Sequence, residues 1–152
     1  MSDLQYDLII VGGGMVGATL ACALGDSPLR VALVESAAPD LHWDPEPFDL
    51  RVSAITRATQ RVFEAVGAWP QMVSRRVVPY TAMHVWDATG RGAIDFRSTE
   101  IDEPDLGHIV ENRIILAALH EGLGAFANVE LLCPAAPAAL AQQTDHIELR
   151  LE

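Results

Sequence analysis

The chain has 152 residues, half of them apolar, which suits one domain of ordinary size with a buried core. Its formal net charge of -11 excludes the basic surface that nucleic-acid phosphates require. Two cysteines, Cys22 and Cys133, give neither a disulfide framework nor a metal-ligand spacing.

Residues 6–11 form a continuous apolar run closed by glycines, which predicts a buried parallel strand. Residues 15–25 predict a helix carrying Cys22 as a small core residue, ended by Gly25-Asp26-Ser27-Pro28. A second strand follows over 30–35. Pro39, Pro45 and Pro47 make 37–48 a loop. The next helix is predicted to begin after Ser53 or Thr56, with Val62, Phe63 and Val66 on its apolar face and Gly67 as its stop. Residues 83–96 alternate about a glycine-containing turn, the pattern of a hairpin. Residues 107–111 predict another strand, and Asn112 the N-cap of a helix that ends near Gly122. Short strands at 129–132 and 146–151 flank a weakly specified connector. The run from Leu8 to Gly25 is apolar enough to suggest a membrane span, but three glycines split it into halves too short to cross a bilayer. Asp3 and Asp7 give the start no positive n-region, so a cytosolic protein is the simplest expectation.

Strand, glycine turn, helix and strand occur in the order of a dinucleotide fingerprint, with Glu35 at the second strand's end. Gly12 permits the tight turn, Gly14 lets backbone approach a pyrophosphate, and Gly17 lets the helix pack closely. The helix start at Met15 and Val16 offers unpaired N–H groups to phosphate. Glu35, with Ser36 beside it, is placed to accept hydrogen bonds from ribose hydroxyls. A carboxylate there repels a 2′-phosphate, so FAD or NAD is expected rather than NADP at this site.

Other residues leave alternatives open. Arg51 is either a pyrophosphate ligand on a returning loop or half of a surface pair, for instance with Asp49. Ser53 reads as an N-cap, a flavin-contacting hydroxyl, or both. Arg113 reads as a diphosphate or ribitol contact, or as a solvated helix-terminal arginine. Asp95, Glu100, Asp102, Glu103 and Asp105 read as a solvated acidic loop. His42, His84, His108, His120 and His146 show no metal spacing, and no serine or cysteine has a nucleophile-elbow context, so no catalytic residue is assigned.

Taken together, Val11–Gly17, Leu50-Arg51-Val52-Ser53-Ala54-Ile55, Val66–Trp69, Ser74–Arg76 with Pro79-Tyr80, Met83–Asp87 and Leu106–Arg113 resemble the ubiquinone-biosynthesis hydroxylases. These are a branch of the para-hydroxybenzoate-hydroxylase-like flavoprotein monooxygenases. The resemblance runs from about residue 5 to residue 120. It implies an α/β, Rossmann-like FAD-binding fold with a parallel sheet, plus antiparallel strands of a substrate-domain sheet. The implied division is 1–78 for the first part of the FAD domain, 79–111 for substrate-domain strands and 112–152 for a return to the FAD domain. FAD is the implied cofactor, with the glycines and Glu35 on its ADP half. Arg51, Val52 and Ser53 would lie on the pyrophosphate or flavin side, and Arg113 at a further FAD contact. The implied reaction uses NADPH as a transient reductant and O2 as oxidant to hydroxylate a polyprenylphenol or quinol ring. The substrate's isoprenoid tail calls for an apolar groove and peripheral contact with the inner membrane or a quinone-biosynthesis complex. The family's Asp-Gly motif and later Gly-Asp motif do not occur before Glu152. The expectation is therefore the N-terminal portion of a longer enzyme, inactive alone. The competing expectations are another Rossmann flavoprotein, such as an amine oxidase or dehydrogenase, and a non-catalytic nucleotide-binding subunit.

Overall fold

A computed structural model describes residues 5–152; Asp3, part of the acidic start, lies outside them. In chain order the first elements are β1 (Leu8–Val11), α1 (Met15–Ala23), β2 (Val31–Val34), β3 (Val52–Thr56), α2 (Arg57–Ala65) and α3 (Trp69–Arg75). Then come β4 (Val78–Tyr80), β5 (Ala82–Trp86), β6 (Ala93–Arg97) and β7 (Gly107–Glu111). α4 (Asn112–Leu123), β8 (Val129–Leu132), β9 (Pro137–Gln142) and β10 (Ile147–Leu151) complete the chain. They form two compact units, Met1–His42 with Leu116–Glu152, and Trp43–Ile115. The divisions fall within the loop before β3 and within α4.

The first unit is built on a parallel sheet in the order β1-β2-β8. β2 lies in the middle, and all four of its residues, Val-Ala-Leu-Val, are buried. A strand covered on both faces needs this unbroken apolar run, which is why it shows no alternation. α1 buries Ala18, Ala21 and Cys22. The Cys22 thiol lies 3.5 Å from the Leu119 carbonyl oxygen of α4. Burial pushes its pKa up to about 11, so it stays protonated and unreactive near neutrality. The Asn128 amide donates to the carbonyls of Leu24 and Leu29, each at 2.9 Å, and so closes the connection from α1 to β2. β9 and β10 add an antiparallel hairpin. The sequence pattern does not announce β9, because Pro137-Ala-Ala-Leu-Ala-Gln142 is poor in the β-branched and aromatic residues that mark strands.

The second unit places β7 between β3 and β4, antiparallel to both. Of the two starts offered for α2, Thr56 is the cap: its hydroxyl accepts the Thr59 N–H at 3.2 Å. Ser53 lies inside β3 instead. Gly67 has φ +75, a left-handed conformation that suits glycine just beyond a helix end. α3 also escaped the sequence pattern; it is one short helix with Pro70 in its first turn, burying Met72. Asn112 is the first residue of α4, and its side chain is taken by Ser53, whose hydroxyl donates to Asn112 Oδ1 at 2.6 Å. β5 and β6 pair as the expected hairpin, exposed along their whole length.

The acidic stretch is not uniformly solvated. Asp105 is buried and pairs with Arg57 at 3.1 Å, while Glu103 pairs with the same guanidinium at 2.9 Å. Composition alone hides this, since the matching cation lies 48 residues earlier.

Glu111 is the buried charge of this unit, only 3% exposed. Its carboxylate takes Arg76 Nη1 at 2.7 Å and the Asp49 N–H at 3.0 Å. The same guanidinium lies 3.8 Å from the Phe48 ring centroid and donates to the Pro45 carbonyl. Arg76 therefore fastens the proline-rich loop to β7. Arg76→Leu leaves Glu111 buried without its cation and is expected to destabilise the protein by about 3 kcal/mol, read by denaturant unfolding. Replacing both residues with leucine should recover most of that loss.

Candidate functional site

The glycine turn joins β1 to α1. Gly12 has φ +102, which a residue with a side chain rarely adopts. A Cβ on Gly17 would overlap the Gly12 carbonyl oxygen, so α1 starts too close to the turn for any other residue there. Gly14 is different: a Cβ there meets nothing within 4 Å. It is the exposed N-cap of α1, and no side chain caps the helix. The N–H groups of the first turn, at Met15 and Val16, thus have no partner within the helix.

Gly13, which the fingerprint spacing leaves out, turns out to be the joint between turn and acid. Its N–H donates to Glu35 Oε2 at 2.7 Å. A Cβ on Gly13 would crowd the Glu35 side chain at 3.0 Å. Glu35 Oε1 accepts from the Ala37 N–H at 3.2 Å and the Ser36 hydroxyl at 3.1 Å. A carboxylate offers about four acceptor positions, so roughly one is left for a ribose hydroxyl, and a second if Ser36 turns away. His120 adds a contact that no local pattern announces: its Nε2 lies 2.7 Å from the Gly13 carbonyl oxygen, 107 residues away in sequence.

A second set of assigned residues clusters in the other unit. The Asp49 carboxylate accepts from Arg113 Nε at 2.9 Å and from the Arg51 N–H at 3.0 Å. The Arg113 bond is the main cause holding the Asp49 pKa below the usual carboxylate range, followed by the Arg51 N–H. Asp49 therefore takes the Arg113 side chain, and Arg113 is an ion-paired residue instead of a solvated terminus. The Arg51 side chain is exposed, and its carbonyl accepts the Asn112 N–H at 2.9 Å. Val52 is exposed and Ser53 half-buried on β3. A cavity of about 960 Å³ elsewhere in the first unit, lined by Tyr6, Ile9 and Leu149 among others, does not touch the glycine turn.

No family model matches the chain. Individual proteins do. Ubiquinone biosynthesis monooxygenase COQ6 of Xenopus tropicalis is 42% identical over 124 residues, which is 78% of this chain and 26% of that protein. The 3-demethoxyubiquinol 3-hydroxylase of Escherichia coli is 33% identical over the full chain, covering 39% of its own length. The chain is a homologue of the ubiquinone-biosynthesis hydroxylases. It spans about a quarter to two fifths of the length of these two relatives. Among solved structures, PqsL of Pseudomonas aeruginosa, described as a probable FAD-dependent monooxygenase, has a TM-score of 0.69 at 25% identity. The match covers 96% of this chain and 38% of PqsL. p-Nitrophenol 4-monooxygenase PnpA of Pseudomonas putida has a TM-score of 0.72 at 19% identity and shares the fold. The expected α/β architecture, a parallel sheet with separate antiparallel strands, is thus shared with these two solved monooxygenases over the matched stretch.

The Glu35 bonds carry a measurable signature. The N–H groups of Ala37 and then Gly13 lower its pKa from the ordinary 4.5. A carboxylate lowered in the folded state contributes its stability fully above the unfolded value, and loses it as pH falls through the folded value. The stability difference between wild type and Glu35→Gln should be constant near neutrality and shrink below about pH 4.5, measured by urea unfolding across pH. A difference that persists unchanged into strong acid would mean these bonds do not belong to the ionised carboxylate.

Proposed function

We propose that the chain is the FAD-anchoring portion of a flavoprotein monooxygenase that hydroxylates a polyprenylphenol or quinol ring of ubiquinone biosynthesis. The observation that carries this is the glycine turn locked to a carboxylate at the end of β2, in a chain homologous to hydroxylases of that pathway. The residues fit the ADP half of FAD. Gly14 leaves open space where a diphosphate approaches, and the start of α1 presents N–H groups and a partial positive charge. Glu35 keeps an acceptor for the ribose, while its charge disfavours a 2′-phosphate. Arg51 carries an exposed guanidinium suited to the pyrophosphate or flavin side, and Arg113 is a second cation for that role.

When bound, FAD supplies the redox chemistry that activates O2 toward an electron-rich ring, with NADPH as the reductant. The protein's part is to bind, orient and exclude water. The β5–β6 hairpin suits the substrate-domain sheet: Met83, Val85, Trp86, Ile94 and Phe96 are exposed, and a two-stranded hairpin needs a covering layer. An isoprenoid substrate tail would bring a cytoplasmic enzyme to the inner-membrane surface; among the described residues no helix is long and apolar enough to cross a membrane.

The deciding experiment purifies the longer protein and follows flavin content together with NAD(P)H- and O2-dependent ring hydroxylation. A colourless protein that takes up no FAD defeats the proposal. Gly14→Val is informative because the position is open in this structure: folding should persist while FAD retention is lost. Unchanged flavin content would remove the diphosphate from Gly14. Arg51→Ala should weaken FAD binding by roughly 1.5–3 kcal/mol, the scale of a lost charged hydrogen bond, read by flavin fluorescence titration. Wild-type affinity in that variant would return Arg51 to a solvent-facing role.

A further inference from the structure

We propose that His120 is a positioning residue that sets the Gly13–Gly14 peptide so that the Gly14 N–H faces the diphosphate of a bound dinucleotide. This rests on the FAD reading above and extends it to a residue outside the fingerprint. The only cis peptides among the described residues precede Pro47 and Pro134, so the Gly13–Gly14 peptide is trans. In a planar trans peptide the C=O and the next N–H point in opposite directions. Fixing the Gly13 carbonyl on one side therefore fixes the Gly14 N–H on the other.

A latch is needed at this position. Two consecutive glycines impose little preference on the backbone, so the peptide between them can turn over at small steric cost. Turned over, it would present a carbonyl oxygen where the N–H should be and repel a phosphate. Gly13's own N–H is already held by Glu35, which fixes the preceding peptide but not this one. The 2.7 Å contact with His120 Nε2 is the bond that fixes it. A carbonyl can only accept, so Nε2 carries the hydrogen.

The histidine is itself held in place. It lies on α4 next to Ala117, Ala118 and Leu119, each no more than 1% exposed. The Leu119 carbonyl meets the Cys22 thiol of α1, the helix that Gly14 caps. The donor and the turn it grips are thus tied to one packed helix pair within the first unit.

The test uses the longer protein with three variants, FAD and ADP titrations and thermal melting of the apoprotein. Glutamine reaches about as far as Nε2 and keeps an N–H; asparagine keeps the N–H but falls short; leucine removes it. His120→Leu and His120→Asn should bind both FAD and ADP about three- to tenfold more weakly, while His120→Gln stays within about twofold of wild type. If His120→Leu melts too low to titrate, the glutamine and asparagine pair decides the matter. Equal ADP and FAD affinity in all folded variants overturns the latch, as does an equal loss in glutamine and asparagine. A wild-type protein that binds neither ligand would instead defeat the FAD reading itself.

Discussion

The close entry of α1 over the glycine turn is the constraint on which the first unit depends. Because the Gly12 carbonyl oxygen occupies the space a Gly17 side chain would need, the helix starts immediately beyond the strand. That proximity puts the unpartnered N–H groups of the first turn at the carboxyl end of β1, beside the end of β2. The carboxylate of Glu35 then reaches the turn in one hydrogen bond. Moving α1 outward by the width of one methyl group would separate these parts. The buried Val31–Val34 strand matters for the same reason, since it fixes where Glu35 emerges.

The second unit uses a buried charge where the first uses close packing. Glu111 is buried and cannot be left unpaired there, so Arg76 and the Asp49 N–H converge on it. These contacts carry the proline-rich loop to the start of β3, where Asp49 joins the Arg51 N–H to the Arg113 guanidinium and Ser53 bonds to Asn112. The loop has little regular structure of its own; a single guanidinium between an aromatic ring, a carbonyl and a carboxylate gives it one shape.

What was legible in the sequence follows from the range of the interactions. β1, α1 and β2 are announced by runs of like residues and by glycines whose effect is local, and they lie within a residue or two of where the pattern puts them. The hairpin of β5 and β6 is legible for the same reason. α3 and β9 were not, because one is a short helix around a proline and the other is an alanine-rich strand held by its partner β10. By type, Ser53 suits a cap or a flavin-contacting hydroxyl, and Asn112 a cap. Instead they bond to each other across 59 residues, and Thr56 caps α2.

The same distinction explains why the site was half visible. The fingerprint names residues by what a ligand needs from them: a tight turn, an open approach, an acid. It is silent about what the turn needs when no ligand is near. Glu35 answers both demands, since the bonds that leave it roughly one free acceptor are the ones that hold Gly13 and the chain after β2. In the proposed FAD site, ribose grip and turn rigidity would therefore be one interaction, and a substitution at Glu35 would disturb both at once. His120 serves only the second demand. It leaves no spacing to recognise, and becomes apparent only when α4 is folded against α1.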